Sequence, residues 1–418
     1  MTAAKSPAED RIPVTRDQWY VLIAAFLGWM FTGVVMGLFP IAARPALQDL
    51  LQTTDDGLVG WWIGVLTAAF LLGAAAGGLL FGWAGDRIGR VRTMALTIAA
   101  YSLFTGACVA ATHPWQLAVF RFLASLGMGG QWSLGVALVM EAWPGKLRPL
   151  LAGVIGASAN VGFLAISILS MLVVITPDSW RWVMVVAATP VILAVWVVMF
   201  VPESERWRAA VKATAAKPLR EIFRPPLLWP TLLAICFATI PLLGSWAAVS
   251  AFLPSWADQL AGPHARGVTQ AVMSVGAILG CLIAPLIGGV WGRRPVYFGL
   301  CLAALVVCQL LFREGWWEYG APFLLVCGLA GFVTAAFYGW LPLYLPELFP
   351  TRVRATGQGL SFNFGRIFAT VGTLTTGQML QFFEGSYPRA CSTITLVYAL
   401  GLVVIWLAPE TRGRPLPE

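Results

Sequence analysis

Apolar runs of about 20 residues, enough to cross a hydrocarbon layer of roughly 30 Å, recur from one end of this chain to the other between short polar clusters. No period-two alternation runs through them, so they read as helices and not as strands of a barrel. The pattern predicts twelve spans, at 19–43, 58–82, 93–111, 115–140, 150–175, 180–201, 229–257, 268–290, 295–312, 320–345, 355–383 and 391–408. Every connection is short except 202–228. The expected division is an N-terminal segment 1–18, a six-helix half 19–201, a linker 202–228, a second half 229–408 and a C-terminal segment 409–418. The fold class that follows is an all-α membrane protein with twelve transmembrane helices.

Composition strengthens this picture. Of 418 residues 59% are hydrophobic and 11% charged, with a mean hydropathy of +0.78, which no water-soluble domain of this length would show. The N-terminal segment, with Lys5, Asp10, Arg11 and Asp17, lacks the apolar core of a cleavable signal before the first span, so it is expected to stay in the cytoplasm. In that orientation 20 of the 27 lysines and arginines fall on inner segments and five on outer loops (Arg44, Arg181, Arg266, Arg313 and Arg389), leaving Arg121 and Arg366 within spans. The asymmetry fits the positive-inside rule and predicts an inner-membrane protein with both termini cytoplasmic. The net charge of +8 then reflects topology, and no nucleic-acid partner is needed to explain it.

Catalytic chemistry finds little footing. Seven scattered cysteines include no C-x-x-C pair, and the two histidines, His113 and His264, lie in outer loops. Neither set suggests a metal or a disulfide. There is no H-E-x-x-H, P-loop or G-x-S-x-G. "LGMGG" around Gly127–Gly130 superficially suggests a nucleotide loop, but it follows no strand, and its small residues suit close helix packing better. No cofactor is expected. The partners expected are a small-molecule substrate and the bilayer, with the chain acting as a monomer.

The polar junctions repeat. "EAWPGKLR" (Glu141–Arg148) returns as "ELFPTRVR" (Glu347–Arg354) at an offset of 206; "VPES" at Glu203 returns as "APET" at Glu410, and "GDRIGR" returns as "GVWGRR", with Gly89 and Gly292 offset by 203. Three motifs repeated in order make two six-helix halves of one orientation. The basic, proline-bounded linker is expected to lie along the surface as a short amphipathic helix near anionic headgroups.

These residues carry a resemblance. "GWAGDRIGR" resembles the loop between the second and third helices of the major facilitator superfamily, G-x-x-x-D-R-x-G-R-[RK], with Val91 where a further basic residue is usual. "RFLASLGMGG" resembles that superfamily's fourth-helix pattern; "PESERW", "PETRG" and "ELFPTRVRATGQG" resemble junctions of its sugar porters and its organic-anion and aromatic-acid branch. The resemblance implies a carrier working by alternating access. It also implies that Asp86, Arg87, Gly89, Arg90, Glu141, Arg148, Glu203, Arg293, Glu347, Arg354 and Glu410 form a charge network closing the cytoplasmic side. Prolines Pro144 and Pro350 end helices and let each arginine turn back toward an acid. Gly289 stands where Asp86 would align, so one latch is expected to be weaker.

Substrate contacts are expected near the midplane, where polar groups are costly. Arg366 lies about eleven residues into its span, roughly 16 Å at 1.5 Å per residue, and no carboxylate lies at comparable depth. Its planar fork suits a carboxylate; hydrogen bonding to backbone carbonyls, or pairing with the other half, is the alternative. Arg121 lies nearer the outer face, and the resemblance assigns it a structural or proton-coupling role through hydrogen bonds to the first helix. Gln131, Trp132, Asn160, Trp246, Tyr338 and Asn363 are further candidates, aromatic faces and amides suited to a flat organic molecule. "WMFTGVVMG" lacks the aspartate that proton-coupled relatives of the aromatic-acid branch carry in the first helix, leaving uniport, exchange, or entry of an anion with its own proton. The seventh span, "ATIPLLGSWAAVS", lacks the glutamines that sugar porters use. The expected cargo is a small organic anion, with a neutral sugar or polyol, or a sensor that binds without transport, as alternatives.

Overall fold

In a computed structural model the chain is described at residues 14–173, 175–213, 217–313, 315, 317–374, 382–384 and 386–418. The first half comprises α1 (Arg16–Leu51), α2 (Asp56–Ile88), α3 (Arg90–Ala107), α4 (Pro114–Ala142), α5 (Arg148–Leu172) and α6 (Trp180–Phe200). Two short linker helices follow, α7 (Glu205–Ala213) and α8 (Pro218–Ile222). The second half comprises α9 (Leu228–Ala261), α10 (Pro263–Trp291), α11 (Arg293–Leu311), α12 (Ala321–Leu348), α13 (Arg354–Leu374) and α14 (Tyr387–Leu407). Eleven of these helices are long and apolar enough to cross a membrane over described residues. The expected span 355–383 begins as α13, and its positions 375–381 lie outside the described residues, as do 1–13 of the N-terminal segment and 214–216 of the linker.

Several helices outrun the apolar stretches that predicted them. α1 starts at Arg16 because Thr15 and Gln18 form a capping box there, and it continues to Leu51 through Pro40 and Pro45. Proline also breaks regularity. α6 is interrupted at Thr189 and Pro190, where the ring removes a backbone donor. α9 changes after Pro241 into a π-helical stretch, Leu242–Ser250, a wide turn often found at functional positions.

The halves meet along α2 with α13 and along α5 with α10 and α12. Small residues allow the approach: a Cβ on Gly359 would lie 2.1 Å from the Gly78 carbonyl oxygen, and one on Gly156 would lie 2.4 Å from that of Tyr338. The same explanation settles "LGMGG". A Cβ on Gly127 would meet the Thr97 carbonyl oxygen at 2.5 Å, and one on Gly129 that of Ala74 at 2.0 Å.

The linker is docked on protein, which differs from a tether held by headgroups alone. Trp207 Nε1 donates to the Asp86 carbonyl at 2.9 Å in the first half, and Glu221 pairs with Arg352 of the second at 2.8 Å. Both sit at the end of the bundle where α1 starts and the C-terminal segment 409–418 lies, the terminal face.

Candidate functional site: a one-sided latch below two buried arginines

Neither α3 nor α11 can cap its own start, because each is preceded by a glycine, which has no side-chain oxygen to accept from the first N–H groups; both take a positive φ, Gly89 at +112° and Gly292 at +101°. The missing acceptor comes from far along the chain. The Glu203 carboxylate accepts from the backbone N–H of Arg90 at 3.0 Å and of Val91 at 3.1 Å. Glu410 does the same for Arg293, at 2.9 Å, and Arg294, at 3.1 Å. Each carboxylate faces a helix N-terminus, where the unpaired donors and the dipole favour negative charge. Partial burial of Glu410 works against ionisation, but the N–H groups of Arg293, Arg294 and Arg412 outweigh it and hold the carboxyl below its usual range. A network across the halves was expected of these two glutamates; their recorded bonds stay within their own halves, because helix ends a few ångströms away leave their donors open. Arg87 is likewise outside the latch, exposed and lying over the Trp83 ring at 5.1 Å.

The latch itself joins the halves at Asp86, Arg90, Glu141 and Arg354, all buried. Arg90 pairs with Asp86 at 2.5 Å and with Glu141 at 3.3 Å, and donates to the Thr351 carbonyl at 2.7 Å. Glu141 accepts from Arg354 of the second half at 2.9 Å. Asp86 accepts from the backbone N–H of Ala355 at 3.2 Å and of Thr356 at 2.8 Å, capping α13 across the interface. Ser204 completes Glu141 with a hydroxyl donor at 2.5 Å.

The repeated motif behaves differently in its second copy. Arg293 holds Glu347 through two bonds, at 3.0 and 2.6 Å, but both residues belong to the second half. Arg148, the counterpart of Arg354, donates to the Met140 carbonyl at 3.2 Å and forms no ion pair among the described residues. The reason lies in the facing helix start. α5 opens with Arg148 and Pro149, whose nitrogen has no hydrogen to donate, and Pro149 crowds Gly289 so closely that a Cβ there would lie 3.0 Å from its ring. An aspartate at 289 would have neither room nor a donor at Pro149. Close ion pairs therefore join the halves in one of the two copies, and in the other Arg148 acts on Glu347 across the interface only through its longer-range field.

The C-terminal segment adds a brace. The Pro417 carbonyl accepts from Arg354 at 2.7 Å and from the Thr351 hydroxyl at 3.3 Å, and Leu416 is buried. Removing residues 415–418 is expected to weaken closure by about 1.5–3 kcal/mol, the worth of a hydrogen bond to a charged group. Faster modification of a Ser133→Cys reporter, sealed between α4 and α13, by a water-soluble maleimide would show it; an unchanged rate would count against the brace.

Above the latch, Phe362 of α13 stacks on Trp132 of α4, centroids 3.9 Å apart, and meets Trp29 of α1 edge-on at 6.1 Å and Tyr338 of α12 at 6.2 Å. The Tyr338 hydroxyl lies 2.8 Å from Ser245 Oγ, inside the π-helical stretch of α9. Arg366 is buried about 18 Å along α13 from Arg354. Its guanidinium has no hydrogen-bond or ion-pair partner among the described residues, and its Nε is enclosed without an acceptor.

The other candidates separate. Gln131 faces into the first half, accepting from Thr97 at 2.6 Å and packing on Gly28, so it does not face the second half. Asn363 spans the halves as a structural staple, donating to the Gly129 carbonyl at 2.9 Å. Asn160 reaches the Cys281 sulfur at 3.6 Å across the α5–α10 seam. Trp246 is half-buried in the π-helical stretch of α9. Arg121 makes no hydrogen bond to α1 among the described residues; it touches that helix through the Phe39 ring, 4.1 Å from its guanidinium carbon. Trp29, Phe39 and Phe70 were not legible as site residues, since an apolar ring inside an apolar span carries no distinguishing pattern.

Known proteins place this architecture. The cis,cis-muconate transport protein of Acinetobacter baylyi is 30% identical over 88% of this chain and 89% of its own length. The niacin transporter of the same organism is 24% identical, covering 97% of each chain. A proton:xylose symporter superposes with a TM-score of 0.75 at 16% identity, over 96% of this chain and 98% of its own, a likeness of fold. The family model described as Major Facilitator Superfamily matches residues 21–373. With its duplicated six-helix halves and its seam of junction motifs, the chain belongs to the Major Facilitator Superfamily and is a multi-pass membrane transporter, not an enzyme.

Proposed function

We propose that this carrier moves a small organic anion, an aromatic or heterocyclic carboxylate, by alternating access between its halves, with Arg366 as the anion contact. The carrying observation is a buried guanidinium between the halves with no acid beside it, a group that costs about 2.5–3.5 kcal/mol on insertion scales and that a bound carboxylate would neutralise. Phe362, Trp29 and Tyr338 offer ring surfaces for a flat molecule. Relatives named for cis,cis-muconate and niacin transport support the same class.

The terminal face is the cytoplasmic side, as the distribution of positive charge favours, and the linked halves leave the carrier closed there. With no carboxylate in the spans at the depth of Arg366, exchange or uniport fits better than proton symport. Uptake of labelled carboxylates into proteoliposomes tests both points. Arg366→Ala is expected to lower uptake at least about tenfold, as loss of a charge-assisted bidentate contact does, and an imposed proton gradient is expected to leave the initial rate unchanged. Full uptake by the variant, or uptake of sugars in place of acids, would sink the anion reading.

A further inference from the structure

Arg121 and Arg366 enter from different halves, on α4 and α13, yet their guanidinium groups lie over one ring. Their carbons are 5.0 and 5.9 Å from the centroid of Phe70 on α2. They are therefore no more than about 11 Å apart, the sum of those distances, which one small molecule can span with charge-assisted contacts of about 2.8 Å at each end. Both side chains are almost wholly enclosed, at 3% and 5% exposure. Each has an Nε without an acceptor, and neither forms an ion pair among the described residues. Aromatic faces attract a cation but do not neutralise it. A monoanion on Arg366 would leave the second cation uncompensated.

We propose that Arg121 and Arg366 form a two-cation site, selective for small acids with an anionic group at each end and a flat middle lying against Phe70. The proposal rests on the reading of Arg366 as the anion contact and adds Arg121 as the residue that sets specificity. In the loaded site two negative charges meet two positive ones, and the enclosed region becomes neutral.

The test compares terephthalate with 4-carbamoylbenzoate, which keeps the ring and one carboxylate and replaces the other by a neutral amide. Purified full-length protein in proteoliposomes is expected to take up terephthalate with a kcat/KM at least about tenfold higher, since a buried charge left unpaired is strongly penalised. Arg121→Gln is expected to bring the two substrates within about threefold while uptake of 4-carbamoylbenzoate persists. Arg121→Lys, which keeps the cation should the glutamine variant fail to fold, is expected to keep terephthalate ahead. Arg366→Gln is expected to lose both. Equal uptake of the two acids by the unsubstituted carrier, or equal losses for both acids in both Arg121 variants, would overturn the two-cation site. If 4-carbamoylbenzoate uptake still required Arg366, the broader anion reading would stand; if the unsubstituted carrier took up neither acid, both would fall.

Discussion

Glu141→Gln is expected to open the carrier at its terminal face. Glu141 is the acid that Arg90 and Arg354 share, and both arginine side chains are fully enclosed. Removing one partner of a buried pair strands the other charge and costs about 3–5 kcal/mol. Here two cations lose their shared acid at a contact that joins the halves. The state open at the terminal face exposes those arginines to water and escapes most of that cost, so the equilibrium should move toward it by more than about a hundredfold, at 1.4 kcal/mol per tenfold. Maleimide modification of a Ser133→Cys reporter should accelerate, and uptake should fall.

Glu347→Gln provides the contrast. Its ion-pair partner Arg293 lies in the same half, and Arg148 of the first half acts on it only through its field, so the substitution should lower the melting temperature and accelerate modification far less than Glu141→Gln does. Equal acceleration in the two variants would refute a one-sided latch.

The second large effect falls on a glycine. A Cβ on Gly89 would lie 2.3 Å from Glu203 Oε2, on a backbone with φ of +112°. Gly89→Val meets two penalties. Backbone strain for a branched residue in that region is of order 1–3 kcal/mol, and displacing Glu203 forfeits a helix cap worth about 0.5–2 kcal/mol. A loss of about 1.5–5 kcal/mol in total would be read as a lower melting temperature in detergent and lost uptake. Glu203→Ala alone should cost only the cap. Added to Gly89→Val, it should cost little more, because the cap is already gone. Fully additive losses would show that the valine does not act on Glu203.

The junction motifs announced where charges would gather, and the structure distributes them among different tasks. Glu203 and Glu410 share a spacing with the latch residues, and sequence position alone could not separate a carboxylate that holds a helix start from one that crosses the interface. Asp86 shows the reverse: its arginine partner sits four residues away and is legible, but its capping of Thr356 joins positions 270 apart. Gly289 was visible as a departure from the pattern. Its cause, the donorless Pro149 against it, required the packing of α5 on α10. Among the substrate candidates, Gln131 and Asn363 were chosen by depth and polarity. Depth is fixed by counting residues along a helix, whereas facing depends on how the helix is rotated against its neighbours, and those two amides turned toward neighbouring helices, Gln131 to the Thr97 hydroxyl and Asn363 to the Gly129 carbonyl.

By itself the sequence determined the solvent, the number of spans, the duplication and the two cations within the spans, because hydrophobic length, charge bias and repeat spacing are local properties that any folded arrangement must respect. The tertiary structure decided which charges meet. It made one copy of a repeated latch close between the halves and the other stay within its own, and it brought Arg121 and Arg366 to one phenylalanine ring. Those outcomes depend on helix rotation and on close approach at glycines, where an ångström separates a contact from a clash.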